Sequence, residues 1–248
     1  MFSPNSYYSE MSIEMQTFIV GEERRPYIVH KDLICHYSDY FRAALKGNFI
    51  EATRTTTELP TVTTGCFSVF VDWLYQQKIM LSTKIDYDKV PANYTKLVEL
   101  YIFADTYDTI GLHADALQEF HFLHHRSGTL PPSSVVTEAF EQLSDNSPLL
   151  DYIVDIFTLR YELNGLCHTQ DRMACLEIMP PRFTARLIMA YCACLSSHMA
   201  VPEDGAQLPI SWSEDLAKRY WESTQADKEG LKTAKKEFPW WWELQDSI

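Results

Sequence analysis

Strand-forming sequence in this chain is confined to the first 60 residues. Met15–Val20 (MQTFIV) reads as a short strand stopped by Gly21, and Pro26–Val29 (PYIV) as its hairpin partner across the charged turn Glu22-Glu23-Arg24-Arg25. Thr55–Leu59 (TTTEL), ended by Pro60, reads as a third strand. Between and after these segments the apolar spacing is helical, so the order of elements predicts the α+β class.

The helical segments have definite edges. From His30 to Lys46, Leu33, Ile34, Tyr37, Phe41 and Leu45 fall close to one face, Ser38-Asp39 can open a second helix, and Gly47-Asn48 is a stop signal. Thr63-Thr64-Gly65 opens a helix with the stripe Cys66, Phe67, Phe70, Trp73 and Leu74. Lys84–Pro91 reads as a loop, Tyr94–Asp108 as a strongly periodic helix, and Leu112–His125 as a further helix after the break at Gly111. Ser127-Gly128-Thr129-Leu130-Pro131-Pro132 reads as a boundary. The expected organisation is a tail over 1–14, a domain over 15–126, a linker over 127–133 and a helical region over 134–248. That last region carries helices at Ser134–Leu143, Pro148–Leu163 and Pro181–Ser197, then a Pro/Gly-rich loop, two polar helices, and Phe238-Pro239-Trp240-Trp241-Trp242.

Composition excludes several functions. The formal net charge is −13, spread about evenly along the 248 residues. Such a surface repels phosphate backbones and anionic lipid, so neither nucleic acid nor a membrane is an expected partner. The longest apolar run, Leu187–Leu195, is far short of the roughly 20 residues a bilayer span needs. The polar start lacks a basic, then apolar, leader pattern, which predicts an intracellular protein, cytoplasmic and/or nuclear. The six cysteines are then expected as thiols. Cys35, Cys66, Cys175, Cys192 and Cys194 lie in apolar-periodic segments, where a thiol serves as a small hydrophobe.

Four blocks occur in a telling order: GEERRPYIVHKDLICHYSDYFRAAL (Gly21–Leu45) with TELP (Thr57–Pro60), then CFSVFVDWLYQQKI (Cys66–Ile79) and LVELYIFADTYDTIGLHADALQEF (Leu97–Phe120). Together they resemble the BTB/POZ domain, in the version found in many fungal proteins, over roughly residues 15–125. Asp145–Tyr161 looks like the downstream part of the same proteins. The resemblance implies a small, mainly antiparallel sheet capped by a cluster of helices, followed by an all-α C-terminal region. It gives His30 a core role, with the ring satisfying backbone groups where strand turns into helix. Ser38 places a capping hydroxyl before Tyr40 and Phe41, expected as buried aromatics. Many BTB domains carry an Asp in the first strand, six residues before the turn glycine, that lines a charged pocket at a dimer interface. Met15 stands at that position here. The His-Lys-x-Leu block sets the chain apart from the potassium-channel-like branch, so a tetramer of that type is not expected.

What the resemblance implies for function is protein–protein interaction. BTB domains commonly self-associate, which implies a homodimer with an interface around Leu33, Ile34, Tyr37, Tyr40 and Phe41, some of which must belong to the core. Cullin-binding members carry a hydrophobic-x-Glu motif after the equivalent helix, and Phe49-Ile50-Glu51 matches it, implying an adaptor that presents a protein substrate to a cullin-RING ubiquitin ligase. The alternative for those three residues is internal packing of Phe49 with a solvated Glu51, in a scaffold or regulator without a ligase role. Trp240, Trp241 and Trp242 are either a partner anchor or a tail folded back over apolar surface.

The sequence gives no catalytic, cofactor or metal assignment. The glycines are too few and scattered for a phosphate-cradling loop, no G-x-S-x-G elbow occurs, and the carboxylates form no specific pair. His121, His124 and His125 share a helix but lack an H-E-x-x-H pattern. Cys192, Cys194 and His198, with Cys167-His168 elsewhere, form a second loose cluster. A cryptic metal-dependent enzyme is therefore the weakest alternative, and the chain is not expected to be an enzyme.

Overall fold

The computed structural model describes residues 14–47, 55–80, 86–163 and 178–198. A three-stranded sheet has the order β2-β1-β3, with β1 at Met15–Val20, β2 at Arg25–His30 and β3 at Thr56–Leu59. β1 and β2 form the expected hairpin, antiparallel from Met15↔His30 to Val20↔Arg25. Its turn needs left-handed backbone at Gly21 (φ 72°) and Arg24 (φ 53°), which glycine supplies without strain at the first position. β3 adds to the other edge of β1 in parallel, from Thr17↔Thr56 to Val20↔Leu59, so the sheet holds one ladder of each kind.

Parallel pairing requires a crossover, which contains α1 (Lys31–Tyr37) and α2 (Asp39–Lys46). Alternation along β1 buries Gln16, Phe18 and Val20 on one face. Phe18 meets Phe41 of α2 at 5.5 Å and Phe67 of α3 (Thr64–Gln76) at 5.4 Å between ring centroids. Phe70 continues the cluster to Phe103 of α4 (Val90–Thr106) at 4.6 Å. The aromatic stripe read from 66–74 is therefore core. The predicted loop at Lys84–Pro91 is shorter than expected, because α4 begins at Val90 and takes Pro91 into its first turn, where the missing N–H is harmless.

α5 (Ile110–Ser127) ends at Gly128, in the left-handed conformation (φ 62°). The chain then turns into α6 (Ser133–Gln142), which packs against α4. Tyr94 donates from its hydroxyl to the Thr129 carbonyl at 2.7 Å, and the His124 ring meets the same oxygen at 2.9 Å. Residues expected as a linker are thus a tied corner, and the first compact unit runs to Leu143, with the second from Ser144 onward.

In the second unit α7 (Pro148–Leu163) pairs with α8 (Pro181–His198). Phe157 and Phe183 meet edge to face at 5.0 Å, Arg186 pairs with Asp151 of α7, and Arg182 pairs at 2.5 Å with Asp145, just before α7. Among the described residues no helix is long and apolar enough to cross a membrane.

Candidate interaction surface

The α1–α2 corner is built by one buried serine. Ser38 sits between the helices in extended backbone and is fully inaccessible. Its backbone N–H closes α1 on the Ile34 carbonyl (3.0 Å), and its hydroxyl accepts from the Phe41 N–H (3.0 Å), capping α2. The same hydroxyl donates to the Tyr107 carbonyl at 2.5 Å, tying the corner to the end of α4. Asp39 at the N-terminus of α2 suits the helix dipole and pairs with Arg42 at 2.6 Å.

Aromatic rings complete the joint. Phe41 stacks on Tyr107 at 5.1 Å with 7° between planes, and Tyr40 stands edge-on to both at 5.3 and 5.1 Å. Tyr37 meets Trp73 edge-on at 5.3 Å and His36 at 4.7 Å. Trp73 is anchored in turn, its indole N–H donating to Asp115 at 2.7 Å.

This geometry divides the five residues expected at a dimer interface. Leu33, Ile34 and Phe41 are completely buried within the chain itself, so they cannot form the contact surface of a folded dimer. Tyr37 is half-buried and Tyr40 is 49% exposed, which leaves these two and the exposed His36 facing outward. Tyr40 is correspondingly not the buried aromatic expected after the serine cap. His36 escaped the sequence reading because a single histidine on an apolar-periodic helix carries no signal of its own.

His30 also differs from expectation. It is the N-cap of α1 but makes no side-chain capping bond. Its half-exposed ring bonds through Nδ1 to the Tyr75 hydroxyl (2.8 Å), which also accepts the His30 backbone N–H at 3.2 Å. Met15, paired with His30 across the hairpin, is 39% exposed, so an apolar side chain stands where an interfacial carboxylate was expected in relatives. Phe49, Ile50 and Glu51, and Trp240, Trp241 and Trp242, lie outside the described residues.

Burial is the main cause of the shifts at Cys35, Cys66 and His121. The Cys66 thiol is pushed up to about 12 by burial, and Cys35 is raised by the same cause. Both therefore remain neutral thiols, as a hydrophobic role requires. Cys192, expected in an apolar setting, is exposed. His121 is pushed down to about 4 by burial and by the neighbouring His125 and His124. Among the described residues no three His, Cys, Asp or Glu side chains converge to hold a metal. The side chains of Cys167, His168, Cys194 and His198 lie outside them.

Residues 12–109 match the BTB/POZ domain family. This chain contains a BTB/POZ domain. Its sheet and α1–α4 account for the matched region, and the domain is a protein–protein interaction module. A search of curated proteins finds no match.

Proposed function

We propose that the BTB/POZ domain joins two copies of this chain through the α1–α2 corner. One observation supports this most: Tyr40 presents an exposed aromatic ring on a backbone held by Ser38 and by the Phe41–Tyr107 stack, with half-buried Tyr37 three residues earlier in the chain. A rigid aromatic on a fixed frame loses little entropy on binding and is the usual form of an interface hot spot. A two-fold contact uses the same patch twice, so the tyrosine pair serves both sides. Sedimentation equilibrium of the full chain should give about twice the 28.8 kDa chain mass. Tyr40→Arg should return the single-chain mass with an unchanged circular dichroism spectrum. A single-chain mass for the natural sequence at every concentration would refute the reading.

A second interaction is proposed from sequence alone. Phe49-Ile50-Glu51 follows the end of α2 at Lys46 by two residues, in the hydrophobic-x-Glu pattern of cullin-binding relatives. Phe49 would fill a pocket on the cullin, with Glu51 at its polar rim. The chain would then present a protein substrate to a RING-type ligase in the cytoplasm or nucleus. Capture by a cullin N-terminal domain, lost in Phe49→Ala and Glu51→Ala, tests it. A dimer that captures no cullin would instead be a scaffold or regulator.

A further inference from the structure

We infer that the outer face of α8 is an internal docking surface, covered by the chain's own C-terminal segment through Trp240-Trp241-Trp242. The face is defined by the way α8 is clamped. Phe183 and Leu187 are buried, Phe183 lies against Phe157, and Arg182 and Arg186 pair with Asp145 and Asp151. Opposite them, Pro181, Ala185, Ile188 and Cys192 follow at helical spacing and are all exposed. Met189 flanks this stripe and is 71% exposed, while Ile188 is 57% exposed.

From Leu187 to Ser197 the helix carries no Lys, Arg, Asp or Glu. A helix apolar on both faces is a buried helix, and a contiguous exposed face of this kind marks a contact surface. The occupant follows from what the chain supplies next. Five of the six tryptophans lie beyond residue 198, and three of them are consecutive. Trp212 and Trp221 sit among charged and polar neighbours, whereas Trp240-Trp241-Trp242 concentrates aromatic area, about 150–250 Å² for each ring.

Reach does not limit the contact. Trp240 is 42 residues past His198. Even wholly helical, a connection of that length would span about 63 Å, against about 27 Å for all of α8. A segment tethered at this distance meets the face at an effective concentration on the order of millimolar, well above that of a second copy in a micromolar solution.

The test reads Met189 in the full chain. Mild peroxide converts an accessible methionine to its sulfoxide, and mass spectrometry of the peptide containing Met189 follows the rate. Met189 should oxidise about tenfold more slowly in the natural chain than in the triple variant Trp240→Ala, Trp241→Ala, Trp242→Ala, the ratio expected for a segment docked about nine-tenths of the time. Ile188→Glu, at an exposed position, should release Met189 to the same extent with the tail intact and shift the tryptophan emission to the red. Equal rates in the natural and triple-variant chains would overturn the inference. So would protection that fades on dilution, which would assign the face to a second copy, or protection that survives both variants.

Discussion

Removing the Ser38 hydroxyl should separate two contributions that the structure places on one atom. Ser38→Ala deletes the cap of α2, a loss of about 1 kcal/mol for a serine N-cap. It also deletes the donor to the Tyr107 carbonyl, a fully buried bond of 2.5 Å worth about 1–1.5 kcal/mol. That carbonyl retains the longer bond from the Thr109 hydroxyl, at 3.3 Å. The combined cost is about 2–2.5 kcal/mol, which lowers a urea midpoint by about 1 M for a slope near 2 kcal/mol per molar. Circular dichroism along a urea titration of the full chain measures it. Ser38→Asp caps a helix well but cannot donate, and it would set a fully buried carboxylate against the Tyr107 carbonyl oxygen; that repulsion and desolvation should make the aspartate less stable than the alanine despite the better cap. A Ser38→Ala change below about 0.5 kcal/mol would refute the account, and with it the claim that the corner presenting Tyr37 and Tyr40 is rigid.

Three further outcomes follow from buried contacts. Burial raises the Asp115 carboxyl to about 6, so the folded state holds a proton that the unfolded chain has released. Stability must therefore fall as pH rises from about 4 to about 6. Asp115→Asn, which keeps an acceptor for Trp73, should flatten that fall and be more stable at pH 7 by an amount on the order of 2 kcal/mol, read from urea midpoints at several pH values. Gly111→Ala should lower the midpoint despite alanine's better helix propensity, because its methyl would sit 3.2 Å from Cζ2 of a Trp73 ring pinned by Asp115 and Tyr37. Tyr75→Phe removes both bonds to His30 at an exposed site and should cost about 0.5–1 kcal/mol in the same assay, with no change in solution mass.

Much of this architecture was legible because local signals and tertiary demands agree. Ser38 reads as a cap from sequence and acts as one; Gly21 ends a strand where the backbone needs positive φ. Where the sequence misleads, one local signal serves two structural purposes. Pro91 looked like the end of a loop but begins a helix, since proline fits both places. Gly128, Pro131 and Pro132 carry the composition of a linker, yet a tight helix–helix corner uses the same residues. The long-range bond from Tyr94 to the Thr129 carbonyl, joined by the local one from His124, tells the two apart. His30 was expected to satisfy backbone groups in its own turn, but its partner, Tyr75, lies 45 residues away and could not be read locally.

The same ambiguity governs the interaction surface, and there it has a functional meaning. Helical periodicity marks which residues are apolar on one face without saying whether the chain or a partner covers them. At the α1–α2 corner the chain covers Leu33, Ile34 and Phe41 itself and leaves Tyr37 and Tyr40 at the margin of that buried set. The exposed rings are thus continuous with the core through Phe41, Tyr107 and Trp73. A partner binding there would extend an existing aromatic cluster, with the side chains already held in place by rings behind them. Most of the ordering entropy is then spent in folding, before any encounter, which favours a small contact that is strong for its area. Net charge opposes such a contact, because two copies each carrying −13 repel at long range. Added salt should accordingly strengthen self-association through the tyrosine pair by screening that repulsion, and sedimentation at 50 and 500 mM salt would show it. An association weakened by salt would mean that ion pairs, rather than Tyr37 and Tyr40, hold the copies together.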